Sequence, residues 1–206
     1  MKSLAREICQ NSIDASLKNG QPTRIEFVPF EINPNDIPDF INLKDAFKRS
    51  LDFWSLQKSS KAKKFFENAI STAEASKIMC LRISDFNTTG LTGSTDEYNS
   101  AWSNLTKSTG ASDKSGTNGG SFGIGKFAPY SCSNFRTVFY STADETGVCA
   151  YQGVSRLTSF KNKDGEITQG TGFYGNDKNT PVETMVNTKD NQEGRFTYGV
   201  QPLLLL

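Results

Sequence analysis

The spacing of apolar residues along the first half of the chain predicts helices and strands in alternation. At the start, an apolar stripe at helical spacing is followed by Gly20 as a helix stop: Leu4, Ile8, Ala15 and Leu17. Residues 24–32 alternate as a strand does, and Pro29 places that strand at an edge or a bulge. Residues 39–76 show two helical patterns, and residues 77–84 return to strand character. The simplest topology pairs the two strands in antiparallel, with the helices inserted between them.

The second half alternates long polar loops with β-like segments. Residues 88–120 are almost all polar or glycine, which in a compact domain is typical of a functional lid or of disorder. One short helix is predicted within this loop by three apolar residues, Tyr98, Trp102 and Leu105. Strand patterns follow at 136–142 and 148–160, and residues 176–193 form another polar loop.

The composition is that of a globular protein with one domain. The 206 residues suffice for a single core with at most one insertion. The 23 basic and 22 acidic residues give a net charge of +1, which indicates neither a nucleic-acid-binding nor a membrane-binding surface. No segment reaches the ~20 apolar residues that span a bilayer. The basic run at 58–64 is interpreted as a solvated helix face. The leucines at 203–206 suggest a strand or helix cut short, so we expect the chain to be the N-terminal part of a longer protein.

The histidine and cysteine content excludes several kinds of site. The chain has no histidine, so catalysis of the Ser-His-Asp or Cys-His type and metal sites built on histidine are excluded. The four cysteines are widely separated and lack the C-x-x-C spacing of a zinc or redox site: Cys9, Cys80, Cys132 and Cys149. Free thiols in a reducing cytoplasm are the expectation.

The first predicted helix carries three polar residues that share one face. Glu7 and Asn11 are four residues apart, and Asn11 and Asp14 are three apart. Two carboxylates and an amide oxygen placed in this way can position a water molecule and a hydrated metal ion. The alternative is a solvated polar face with no chemical role.

A glycine-rich segment near the middle of the chain has the character of an anion-binding loop. It contains Gly120, Ser121, Phe122, Gly123, Ile124, Gly125 and Lys126. Glycines let the backbone approach a ligand closely, and the helix predicted after them would turn free N–H groups toward an anion. Lys126 adds a positive charge. A structural turn is the alternative interpretation.

Taken in order, these motifs resemble the GHKL ATPases, which include gyrase B subunits, the large heat-shock chaperones, MutL, the MORC proteins and histidine kinases. The pattern E-x-x-x-N-x-x-D-A is followed by a strand ending in Asp85, a polar loop, and G-x-F-G-I-G-K-x-A. The resemblance covers about residues 3–175 and is nearest to the hydrolase branches. It implies the Bergerat fold, an α/β two-layer sandwich with a mixed, mainly antiparallel sheet and helices on one face. Residues 36–76 would then be a helical insertion, and residues 88–121 the ATP lid, within one domain spanning residues 1–206.

The resemblance also implies roles for the residues of the first helix. Glu7 matches the family's general base, which deprotonates the water that attacks the γ-phosphate. Asn11 matches the ligand of Mg²⁺, and the phosphates and waters complete the coordination. Asp14 is expected to hold the helix or a water near the base.

The resemblance implies further roles for residues of the later motifs. Asp85 matches the aspartate that accepts a hydrogen bond from the adenine amino group, and residues 120–126 match the segment around the phosphates. Asn87 stands where the family has its first glycine and Gly90 comes one residue late, a departure that leaves the wall of the adenine pocket in doubt. Because asparagine tolerates positive φ, we expect the turn to survive. Thr171 is a candidate for the threonine that assists adenine binding.

The leading hypothesis is therefore a slow, Mg²⁺-dependent ATPase in which ATP closes the lid and brings two copies of the chain together, with further domains or partner proteins. One alternative is a nucleotide sensor or scaffold that is inactive without a following domain. Another is the catalytic domain of a histidine kinase, although the chain has no histidine to phosphorylate. A purely structural module is the remaining alternative.

Overall fold

The computed structural model describes residues 2–107, 127–176, 178, 180–185, 199–200 and 203–205. The helices are α1 (Lys2–Asp14), α2 (Phe40–Leu56), α3 (Ser60–Ala73), α4 (Ala101–Thr106) and α5 (Ala128–Cys132), with a 3₁₀ turn at Pro34–Asp36. The strands are β1 (Arg24–Ile32), β2 (Ile78–Phe86), β3 (Thr137–Ala143), β4 (Val148–Arg156), β5 (Thr171–Phe173), β6 (Val182–Met185), β7 (Gly199–Val200) and β8 (Leu203–Leu205). Within these ranges, no helix is both long enough and apolar enough to cross a membrane.

The strands form one sheet in which every described pair is antiparallel. Its order is β1-β2-β8-β3-β4-β5, while β6 pairs with β4 and β7 pairs with β3. β1 and β2 pair along their whole length, from Arg24 opposite Phe86 to Ile32 opposite Ile78. The predicted pairing of these two strands around an inserted helical pair is thus confirmed.

The inserted helices α2 and α3 cover one face of the sheet through an aromatic core. Phe47 and Phe66 are fully buried, and the ring of Phe47 stacks on that of Phe135 with centroids 5.5 Å apart. Phe40 meets the edge of the Phe135 ring at 5.8 Å. Ile78 of β2 belongs to the same apolar cluster. The aromatic positions of the helical pattern are therefore core positions, and they dock the insertion on the sheet.

The other face of the sheet carries α1, α4 and α5. Side chains alternate between the faces of a strand, so Ile83 of β2 lies on the face opposite to Ile78. Ile83 clusters with Leu4 of α1, Trp102 of α4 and Tyr130 of α5. The expected combination of helices with an antiparallel sheet is confirmed. The expected two-layer arrangement with helices on one face is wrong, because α2 and α3 cover the face opposite to α1, α4 and α5.

The first part of the predicted lid is packed into the molecule. Trp102 is fully buried, and its indole N–H donates a hydrogen bond to Oε1 of Gln152 at 3.3 Å. Ser100 begins α4 with a capping box that involves Ser103. The short helix expected here exists, but Tyr98 lies before it and is 74% exposed. Residues 108–121 of the predicted lid lie outside the described residues.

Candidate functional site

Helix α1 carries the three predicted polar residues beside a buried stripe. The stripe consists of Leu4, Ile8 and Ser12, of which Leu4 and Ser12 are fully buried and Ile8 partly. At ~100° per residue, Asn11 and Glu7 lie roughly 60° and 100° from the centre of that stripe. The helix ends at Asp14, before the two apolar residues at 15 and 17 that the sequence pattern had included. Glu7 and Asn11 therefore flank the packed side of the helix.

Asp85 is a buried carboxylate that joins the end of β2 to α1. It is only 9% exposed, and each carboxylate oxygen accepts a hydrogen bond from a hydroxyl group. Ser12 Oγ donates to one oxygen at 2.9 Å, and Thr88 Oγ1 donates to the other at 3.0 Å. Both donors are themselves buried. Because a buried carboxylate is costly unless it is hydrogen-bonded, this pair of hydroxyls fixes its position and orientation.

The turn after β2 has the left-handed backbone expected at Asn87. The φ angle of Asn87 is 62°, and its side-chain amide donates to the carbonyl of Gln21 at 2.8 Å. The chain after α1 pairs with this turn, since the backbone N–H of Thr89 donates to the carbonyl of Ala15 at 2.8 Å. Asn87 therefore adopts the left-handed turn that was expected at this position.

Gly90 is required by close backbone packing. Its φ angle is +68°, and a Cβ at this position would lie 2.6 Å from the carbonyl oxygen of Ala143 and 2.8 Å from Cα of Asp144. The next residue, Leu91, donates its N–H to Oγ1 of Thr142 at 2.8 Å. The Asp85 turn is thereby locked against the end of β3.

The side chains of Glu7 and Asn11 are open to a ligand. Glu7 is half-buried and Asn11 is exposed, and neither side chain has a hydrogen bond or ion pair with the described residues. Asp14 is exposed and accepts a hydrogen bond from Gln10 at 3.0 Å. No described group of three histidine, cysteine, aspartate or glutamate residues could hold a metal ion. An Mg²⁺ ion at this site would rest on the Asn11 oxygen and on phosphate oxygens, which fits its preference for oxygen ligands with few of them from protein.

The predicted phosphate segment, residues 120–126, lies outside the described residues. Its neighbour on the C-terminal side is described, and Phe127 and Ala128, like Ile8 of α1, pack against the cluster that contains Leu4. Helix α5, which starts at Ala128, contacts α1. The point at which the chain leaves this segment is therefore beside the helix that carries Glu7 and Asn11.

Thr171 does not lie near Asp85. It is in β5, opposite Arg156 of β4. The sheet order places three strands between β2 and β5, which is four strand spacings or about 19 Å. Its position therefore argues against the expected role of Thr171 in adenine binding. Thr142 is closer to Asp85, because it is buried and its hydroxyl oxygen accepts a hydrogen bond from Leu91 in the turn that follows Asp85.

Sequence reasoning missed the two hydroxyls that hold Asp85. For Ser12 a signal was present, because it continues the Leu4–Ile8 stripe at i+4, and a polar side chain at a core position needs a partner. Thr88 carries no comparable signal, since it lies in a run of polar residues.

No protein-family model, curated protein or solved structure matches this chain.

Proposed function

We propose that this domain binds ATP with Mg²⁺ at the corner between α1 and β2 and hydrolyses it slowly. The observation that carries the proposal is the buried Asp85 carboxylate, which the Ser12 hydroxyl ties directly to the helix bearing Glu7 and Asn11. The fixed Asp85 carboxylate would bind the adenine base. The accessible side chains of Glu7 and Asn11 would act at the phosphate end of the nucleotide.

The Asp85 carboxylate provides selectivity for adenine. In the proposed complex, the Asp85 carboxylate, which Ser12 and Thr88 orient, accepts a hydrogen bond from the exocyclic amino group of adenine. Guanine places a carbonyl oxygen at the corresponding position, so it would face the carboxylate with no proton to share. The negative charge of the carboxylate repels that carbonyl oxygen, which carries a partial negative charge of its own, and this repulsion disfavours guanine.

Glu7 performs the proton transfer in hydrolysis. The oxygen of a water molecule attacks the γ-phosphorus, the bond from that phosphorus to the bridging β-oxygen breaks, and Glu7 takes the proton that the water loses. Asn11, one helical turn away, would hold Mg²⁺, which when bound neutralises charge on the phosphates. Positioning by α1 supplies most of the catalysis, and lid closure with pairing of two copies completes the site.

A second candidate function is an ATP sensor without turnover. Glu7 has no partner in the described part of the chain that would orient its carboxylate. A base that is not held in place is a poor catalyst, since small misplacements of a reacting group cost large factors in rate.

The test measures ATP binding and phosphate release separately in the same variants. Glu7→Ala should abolish turnover, with a loss of at least about 100-fold, while ATP affinity stays within about 3-fold. Asn11→Ala should weaken only the Mg²⁺-dependent part of binding. Asp85→Asn should lower ATP affinity by at least about 10-fold. Glu31→Ala, which removes an exposed strand acid paired with Lys77, is the matched control.

Three outcomes separate the candidates. Undiminished turnover in Glu7→Ala refutes the assignment of the base. Unchanged ATP affinity in a folded Asp85→Asn variant refutes the site itself. ATP binding by the wild-type chain without measurable phosphate release supports the sensor.

A further inference from the structure

We propose that a cavity at the open end of the β3–β4 hairpin binds a phosphate-bearing ligand, at a place distinct from the Asp85 carboxylate. This arginine cavity, of about 380 Å³, is lined by Arg136, Arg156, Phe65, Phe127, Tyr130 and Asn68, among others. Two guanidinium groups line it, and no carboxylate does among the described residues. A volume of this size accommodates a phosphate group with the small organic part that carries it.

Aromatic rings hold both guanidinium groups in place. Cζ of Arg136 lies 4.2 Å from the centre of the Phe65 ring. Cζ of Arg156 lies 5.1 Å from the centres of both the Phe127 and the Tyr130 rings, and its Nη2 donates to the carbonyl of Thr106 at 3.0 Å. The Phe65 ring covers one face of the Arg136 guanidinium, and the N–H groups at the edge of that guanidinium can bind in-plane acceptors. Phosphate and carboxylate oxygens are the acceptors that match this fork.

The backbone at Arg136 is in a conformation that arginine rarely adopts. Its φ angle is 47°, in the left-handed region that favours glycine or asparagine. The strained residue is held by its neighbours, since its N–H donates to the carbonyl of Ser133 at 3.1 Å and its carbonyl accepts the N–H of Arg156 at 2.9 Å. A non-glycine residue at positive φ raises the energy of the folded backbone. Its presence at such a position suggests that its side chain has a function. No carboxylate in the described ranges forms an ion pair with Arg136.

Helix α3 extends the positive charge along one wall of the cavity. Lys61 and Lys64 lie on the same helical face as Asn68, which lines the cavity, because the three are spaced at i, i+3 and i+7. Both lysines are exposed, whereas Lys63 on a different face is paired with Glu67 at 3.8 Å. The field at the cavity is therefore positive even though the whole chain carries a net charge of only +1.

The arginine cavity and the Asp85 corner lie at opposite ends of the hairpin. Arg136 directly precedes β3 and Arg156 ends β4, whereas Gly90 packs against Ala143 at the other end of β3. The seven residues of β3 span about 20 Å. Arg136 is therefore remote from Asp85, and substitutions at these two residues can be tested one at a time.

The first experiment titrates the protein with inorganic pyrophosphate by calorimetry in metal-free buffer. We expect saturable binding that weakens as salt is raised and that falls at least 10-fold in Arg136→Asn. Asparagine accepts the left-handed backbone, so this variant removes the charge without adding strain. Arg24→Gln is the matched control and should bind like wild type, because Arg24 is also stacked on a ring, that of Phe86 at 4.1 Å, but lies outside the cavity.

A second set of variants separates this cavity from the ATP site and guards against misfolding. Asn11→Ala should leave pyrophosphate affinity unchanged, and Arg136→Asn should leave ATP affinity unchanged. The double variant Lys61→Gln with Lys64→Gln changes only exposed positions and should weaken pyrophosphate binding 2- to 5-fold. Equal binding by wild type and by both cavity variants overturns the proposal.

The source of the phosphate is distinguished by a titration with a 12-nucleotide single strand. Tighter binding of the oligonucleotide than of pyrophosphate, lost in Arg136→Asn, assigns the cavity to a phosphodiester backbone. Binding of pyrophosphate alone assigns it to a small phosphorylated molecule. Failure of both ligands to bind the wild-type chain shows that the stacked arginines are structural and overturns the proposal.

Discussion

The two faces of the sheet are stabilised in different ways. The face under α2 and α3 is packed with aromatic rings, among them Phe40, Phe47, Phe66 and Phe135. The face under α1 and α4 buries polar groups that are hydrogen-bonded in pairs, such as Ser12 with Asp85 and Trp102 with Gln152. Apolar contacts stabilise without a preferred direction, whereas hydrogen bonds fix orientation. The comparison indicates that apolar contacts dominate under the insertion, whereas hydrogen bonds fix the orientation of polar groups on the α1 face.

The largest expected effect is the loss of an aromatic ring from the insertion. Phe47→Ala should lower the free energy of unfolding by about 3–5 kcal/mol, because it leaves a cavity in a fully packed core. Ile41→Ala, on the same helix but 79% exposed, should cost little. Urea denaturation of both variants measures the difference. A loss below about 1 kcal/mol for Phe47→Ala would contradict the role given to this face.

The next effect concerns the close contact behind the Asp85 turn. Gly90→Ala should lower the free energy of unfolding by about 3 kcal/mol, since it combines a positive φ with a clash against Ala143. Gly165→Ala is the control, because its φ of +81° is similar but nothing lies within 4 Å of the added Cβ. The difference between their denaturation midpoints isolates the steric part. Equal midpoints would show that the turn can move away from β3.

Two buried serines, one on each face, give a smaller and more selective test. Ser12→Ala should cost about 2 kcal/mol because the Asp85 carboxylate loses a donor. Ser50 of α2 is fully buried and has no hydrogen-bond partner in the described structure, so Ser50→Ala should be neutral or stabilising. Thermal unfolding of the two variants compares them directly. Equal destabilisation would remove the distinction between the faces.

The smallest expected effect is a fall in the free energy of unfolding at alkaline pH, which comes from a buried tyrosine on the α1 face. Burial raises the pKa of Tyr140 well above its ordinary value of about 10, and its hydroxyl donates to that of Tyr130 at 3.2 Å. The unfolded chain therefore loses this proton first, so the stabilisation is complete below pH ~10 and declines as the pH rises further. Unfolding free energies measured between pH 9 and 11 should fall by up to about 1 kcal/mol more in wild type than in Tyr140→Phe. Identical slopes would contradict the assignment.

Local patterns in the sequence were sufficient for much of the fold. The pairing of β1 with β2 and the helical pair between them follow from period and proximity. The sequence also indicated that both faces of the sheet are covered. In β2, Ile78 and Cys80 lie on one face and Leu81 and Ile83 on the other, and all four are apolar. Apolar residues on both faces are typical of a strand that is covered on both sides. The expectation of helices on one face overlooked this pattern.

The candidate site was less predictable because it depends on contacts between distant parts of the chain. The place of Glu7 and Asn11 on one helix is a local property, whereas the bond from Ser12 to Asp85 joins residues in different elements. The assignment of Thr171 meets the same limit. A threonine between two glycines reveals nothing about the order of strands, and that order puts it far from β2.

Strand β8 has a consequence for how the domain is made. It lies between β2 and β3, where Leu204 pairs with Leu81 on one side and with Val138 on the other. Strand β8 thus joins the two halves of the sheet, although it is synthesised after β2 and β3. While the nascent chain is still emerging from the ribosome, the facing edges of β2 and β3 have no strand between them, and such edges invite pairing with other chains. We therefore expect folding to finish only after residue 205 has left the exit tunnel.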